Sequence, residues 1–67
     1  MKQKQWSVKV GSKSLDLISF DLPVSAQKAR EYYITGQSPD ELRGRCFLGY
    51  DCLNRIEKEK FTLKACV

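Results

Sequence analysis

The junction Leu22-Pro23-Val24-Ser25-Ala26-Gln27-Lys28-Ala29-Arg30 constrains the fold of this chain more than any other stretch. An alternating run leads into it, a proline with no backbone N–H ends the ladder, and a serine stands ready to cap a helix. With Ser25 as N-cap, the spacing predicts a helix over about Ala26–Thr35. Ala26, Ala29 and Tyr33 share one stripe of it, Tyr32 and Ile34 flank that stripe, and Gly36 is placed to stop the helix. In 67 residues this leaves a single domain, 1–67, with one helix between strand segments.

Upstream, Trp6, Val8 and Val10 alternate with Ser7 and Lys9, the period of a half-buried strand. Gly11-Ser12 suits a two-residue type II′ hairpin turn, since glycine accepts positive φ at the first turn position. That register sets Val10 opposite Lys13, Val8 opposite Leu15 and Trp6 opposite Leu17. The alternation then slips, because Ile18, Phe20 and Leu22 have the other parity. A β-bulge within Leu17–Ser19 restores one inward face; the other reading is that Ile18 ends a two-sided strand.

Downstream, Ser38-Pro39-Asp40-Glu41 reads either as the start of a single helical turn or as a polar loop. Cys46, Leu48, Tyr50, Cys52 and Ile56 share the parity of a third strand, and Phe61, Leu63, Ala65 and Val67 that of a fourth. Arg55–Lys60 is expected to turn between these two as a hairpin, although it lacks Gly, Pro and Asn; a helix over Asp51–Lys60 is the rival. The pattern is α+β, a ββαββ two-layer sandwich in which one helix packs on one face of an antiparallel sheet. The expected core is Trp6, Val8, Val10, Leu15, Leu17, Phe20, Leu22, Ala29, Tyr33, Leu48, Ile56, Phe61 and Leu63.

The chemistry points away from catalysis. The chain has no histidine, no Ser or Cys with a visible base partner and no phosphate-cradling glycine loop, so the expectation is a non-enzyme without cofactor. Asp40 and Glu41 fit the first turn of a capped helix better than an acid–base pair. The three cysteines, Cys46, Cys52 and Cys66, are odd in number and lack the CxxC spacing of zinc sites; they read as reduced thiols packed as small hydrophobes, with no metal. No run approaches the ~20 apolar residues of a membrane span, and Met1–Trp6 has no apolar leader core. A cytoplasmic protein with no membrane contact and no small-molecule substrate is expected.

What remains is surface. The net charge is +4, and Lys2, Lys4, Lys9 and Lys13 all precede the first acid, Asp16. On the expected register Ser7, Lys9, Lys64 and Arg55 point to the face the helix leaves open. Lys13 lies at its margin, and Arg43 and Arg45 enter the third strand. Lys9, Lys13, Arg43, Arg45, Arg55 and Lys64 are therefore the candidate contacts for a partner or a nucleic-acid backbone. Phe47 and Tyr50 are the candidate stacking rings, with Tyr50 read as buried. The same cations would also serve simply as a solvated face guarded against edge pairing.

Ser25-Ala26-Gln27-Lys28-Ala29-Arg30, then Cys46-Phe47-Leu48-Gly49 and Arg55-Ile56-Glu57, give the chain a layout that resembles small phage-encoded anti-CRISPR proteins directed at type I interference complexes. The similarity comes in short pieces over about half the chain. The chain departs from that layout in its longer Gly36–Gly44 connection and its terminal strand. The resemblance implies a non-enzymatic inhibitor in the host cytoplasm, bound to a guide-RNA surveillance complex and blocking target DNA. Two alternatives stand beside it: a small basic nucleic-acid-binding module using the open sheet face, and a subunit that completes a larger complex through its sheet edge.

Overall fold

The computed structural model describes residues 2–39, 41 and 43–66, with only the backbone of Cys46. Strand β1 (Gln3–Val10) and strand β2 (Lys13–Val24) form a hairpin, followed by helix α1 (Ala26–Thr35). A short strand β3 (Gly44–Cys46), a 3₁₀ turn (Tyr50–Cys52), helix α2 (Arg55–Lys60) and strand β4 (Thr62–Ala65) complete the chain. The sheet is antiparallel in the order β3-β2-β1-β4, so the two long strands are central and the two short ones form its edges. This is the expected α+β architecture, with α2 added.

The hairpin turns at Gly11-Ser12, with Gly11 at φ 61° and Ser12 not in the left-handed region, as a type II′ turn requires. Val10 faces Lys13 as expected. The bulge lies closer to the turn than Leu17–Ser19: Lys9 pairs with Ser14 but Val8 pairs with Asp16, so Leu15 is the extra residue. That single insertion reverses the parity of β2 at Asp16, two residues before the expected change at Ile18. Asp16, Ile18 and Phe20 turn inward beneath α1 beside Trp6 and Val8, and Leu17 turns outward.

Pro23 does not end β2, which runs on to buried Val24. The ladder is irregular there, since Gln5 pairs with Ser19 but Gln3 with Val24, and β3 reaches only Ile18–Phe20. A residue without an N–H is tolerated in such a stretch.

Helix α1 follows its sequence signals at both ends. The Ser25 hydroxyl accepts from the Lys28 N–H at 3.3 Å. Gly36, at φ 71°, donates its N–H to the Tyr32 carbonyl at 2.8 Å. Its inner stripe buries Ala29 and Tyr33, and the small Ala29 brings the helix axis close to the sheet.

Residues 55–60 form a helix, not a hairpin turn, and β4 crosses back to pair with β1 instead of β3. The decisive signal is Asn54-Arg55-Ile56-Glu57, a capping box: Asn54 Oδ1 accepts from the Glu57 N–H at 2.8 Å, and Glu57 Oε1 accepts from the Asn54 N–H at 3.0 Å. Asn54→Ala is expected to cost about 1 kcal/mol. A urea midpoint identical to wild type would show that the box does not hold α2 in place.

The core comprises Trp6, Val8, Ile18, Phe20, Val24, Ala29, Tyr33, Leu53 and Phe61, with Val10, Leu15 and Leu63 packed at its border. The expected core members Leu22, Leu48 and Ile56 are exposed, and Leu17 is only half-buried on the far face. The bulge explains Leu17, and the helix explains Ile56, which α2 turns to solvent. The expected one-turn helix after Ser38 depends on Asp40 and Leu42, and the end of the last strand on Val67; these lie outside the described residues.

Candidate interaction face and the turn beside it

Asp16 is an acid on the inner face of a strand, 8% exposed, at the point where β3 ends. Its Oδ1 accepts from the N–H groups of Leu17 (2.8 Å), Phe47 (3.1 Å) and Leu48 (3.0 Å), and its Oδ2 from Gly49 (2.8 Å). Burial alone would push this carboxyl's pKa up. The Gly49, Leu48 and Leu17 amides, with a side-chain hydrogen bond from Tyr33, outweigh burial and hold it below the ordinary carboxylate value. Asp16 thus stays charged and gathers three successive amides of the 47–49 turn onto one side chain. Gly49, at φ 93°, supplies the backbone geometry by which the chain leaves that turn.

The pinned turn presents Phe47 to solvent at 80% exposure, with Leu48 beside it. Phe47 and Leu48 border a shallow depression of about 500 Å³ that they share with Ser7, Ser14, Leu15, Asp16 and Leu17. Ser7 and Ser14 belong to the open face of the sheet, where their hydroxyls lie 3.2 Å apart.

The register orders that face in rows. One row runs Arg45–Ser19–Gln5, the next Leu17–Ser7–Lys64, and the third Ser14–Lys9–Thr62. Gly44 fixes the direction of Arg45. A Cβ on Gly44 would lie 2.7 Å from the Phe20 ring, so position 44 faces the core and position 45 faces away.

Of the six cations singled out in the sequence, Lys9, Arg45 and Lys64 therefore point to the open face, Lys9 and Lys64 on neighbouring strands and Arg45 on the opposite edge. Lys13 does not: its Nζ lies 4.0 Å from Glu57 of α2, on the helix layer. Arg55 is also on that layer, as the first residue of α2, with its Nε 3.6 Å from Glu59. Arg55 departs because a helix replaces the expected hairpin turn, and Lys13 because it pairs with Val10, which packs at the border of the core. Arg43 is exposed just before β3 and anchors β2 through its carbonyl, which accepts from the Asp21 N–H at 3.1 Å.

Tyr50 packs edge-on against Tyr33 and Phe61 on the helix layer and is not a free platform. Two residues that the sequence pattern did not single out carry the geometry. Asp16 shares its parity with Ile18 and Phe20, a signal that becomes legible once the bulge is placed. Arg30 stacks its guanidinium 4.1 Å from the Phe61 ring centroid and donates to the Phe61 carbonyl at 3.1 Å. Cys52 and Cys66 are free thiols, and Cys52 is exposed, not packed as a hydrophobe.

No protein-family model, no curated protein and no solved structure matches this chain. Among the described residues, no helix is long and apolar enough to cross a membrane.

Proposed function

We propose that the protein works by binding rather than by chemistry, and that its partner is a host nucleic-acid-handling complex met through the open sheet face and the 47–48 turn. The supporting observation is Phe47, an aromatic side chain 80% exposed on a turn whose backbone amides are tied to the buried Asp16 carboxylate. A ring on pre-ordered backbone loses little freedom on docking, and such aromatics carry a large share of interface energy. Arg45, two residues before it, and Lys9 and Lys64 across the face supply a cationic surround suited to a complex that carries nucleic acid. The resemblance to anti-CRISPR proteins gives this reading its specific form: an inhibitor that occupies a type I surveillance complex and denies it target DNA.

Co-migration with a purified type I surveillance complex, and plating of a targeted phage on cells expressing the protein, test this reading. Binding and restored plating are expected for wild type, with both reduced by Phe47→Ala and Arg45→Glu and unchanged by Arg55→Ala. Intact interference together with no co-migration would sink it.

A further inference from the structure

Resting on the reading of the open face as the binding surface, we infer that what it grips is single-stranded nucleic acid, with phosphates along β1 and β4 and bases over β2 and the 47–48 turn. Lys64 sits opposite Ser7 on β1, which makes Lys9 its diagonal neighbour, about 7–8 Å away across the ladder. Two cations at that separation form a short track for a phosphodiester backbone. On the other half of the face the chemistry changes. Half-buried Leu17 and exposed Phe47 border the same shallow depression, lined also by Ser7, Ser14 and Asp16, and an exposed aromatic ring beside an apolar side chain forms a shelf on which unpaired bases stack. Arg45 lies beyond that shelf on the edge strand, where its planar guanidinium can stack on a base or pair with a phosphate.

The distribution of acids agrees with a polyanionic strand. Among the described acids, Glu31 lies on α1, Asp51 on the 3₁₀ turn, and Glu57 and Glu59 on α2, all on the opposite layer, while Glu41 is exposed in the connection before β3. Asp16 lines the depression and stays charged, but both its oxygens are occupied by the Leu17, Phe47, Leu48 and Gly49 amides, and it sits on the half of the face away from the Lys9–Lys64 track. Asp21, next along β2 after buried Phe20, falls at one corner of the open face. A duplex would offer this face only one phosphate ridge and no base for Phe47, since a base in a duplex is already stacked between its neighbours. The surface therefore favours unpaired strands.

Fluorescence anisotropy with labelled oligo-dT, oligo-rU and a duplex of the same length tests the inference at several salt concentrations. Single strands of either kind are expected to bind and the duplex to bind at least tenfold more weakly. Phe47→Ala is expected to weaken single-strand binding about tenfold while leaving the salt slope unchanged. Lys9→Ala with Lys64→Ala should flatten that slope by about 1.4, the loss of two contacts at about 0.7 each. Arg55→Ala, off the face, should change neither.

Absence of binding at tens of micromolar protein and low salt, or equal affinity for the duplex, overturns the inference. If the surveillance complex is bound and Phe47→Ala abolishes that binding while no oligonucleotide is bound, the partner surface is protein: the inference fails and the broader reading stands. If oligonucleotides are bound as described but the complex is not, the inference stands and the broader reading fails.

Discussion

Asp16→Asn is expected to lower the unfolding free energy by about 3 kcal/mol at pH 7. The substitution keeps shape and volume but removes the charge. It also places an amide donor or a single neutral oxygen where two anionic oxygens now accept from Leu17, Phe47, Leu48 and Gly49. Whichever way the Asn amide lies, at least one N–H of the 47–49 turn loses its acceptor in a site from which water is largely excluded. For a domain of this size the total stability is about 3–10 kcal/mol, so the loss is a large share of it.

The pH dependence has a definite sign. The folded-state pKa of Asp16 is below its unfolded value, so its stabilisation is complete above the ordinary carboxylate range and is lost as pH falls through the folded pKa. The gap between wild type and Asp16→Asn should therefore be widest at neutral pH and close on acidification below about pH 4. Urea unfolding of both proteins at pH 7, 4 and 2.5 measures that gap and cancels the titration of the other carboxylates. A gap that is absent at pH 7, or constant across the series, would show that the buried carboxylate does not hold the turn.

Much of the fold can be read from short-range rules, because those rules act where one residue decides one outcome. Ser25 caps α1, Gly36 stops it and Gly11 opens the hairpin, each by a local backbone requirement. The parity of β2 could not be read the same way. A bulge costs one residue wherever it falls, and both Leu15 and Leu17 are apolar, so the pattern does not say which is skipped. The choice is made across the sheet, by the satisfaction of Asp16 through amides more than 30 positions away. The capping box of α2 was present in the residues as Asn54 and Glu57, but strand-like parity on both sides of it masked a six-residue helix.

The candidate site divides in the same way. Lys9 and Lys64 reach the open face because they lie on strands whose alternation is unbroken, and Arg45 because Gly44 must face Phe20. Arg55 follows α2 to the other layer, and Lys13 shares the core side of its pair partner Val10. The role of the 47–49 turn rests on Asp16, a residue whose charge argues for the surface until its partners are seen.

Phe61→Ala is expected to destabilise the domain by about 4 kcal/mol, a large share of its total stability. Phe61 is 2% exposed and closes a triangle of rings, 5.7 Å from Tyr33 and 5.8 Å from Tyr50, which are themselves 6.1 Å apart, all edge-on. Each such contact adds to the area it buries. The residue also joins three elements. Its N–H ends α2 on the Glu57 carbonyl at 2.9 Å, its carbonyl accepts from Arg30 of α1, and β4 begins at the next residue. Phe61→Leu, which keeps most of the volume and the backbone bonds, should cost less than about 1.5 kcal/mol, the remainder being the lost ring contacts. A loss below about 1 kcal/mol for Phe61→Ala, well under the usual range for a buried Phe, would show that the helix layer is held by something other than this triangle. Phe47 and Phe61 then separate stability from function. Phe47→Ala should leave the urea midpoint unchanged while binding falls, because its ring touches solvent. Phe61→Leu should shift the midpoint while the folded fraction binds as wild type does, because its ring lies on the layer opposite the open face. If Phe47→Ala instead lowers the midpoint as far as Phe61→Leu, its ring is a packing element and not an exposed contact.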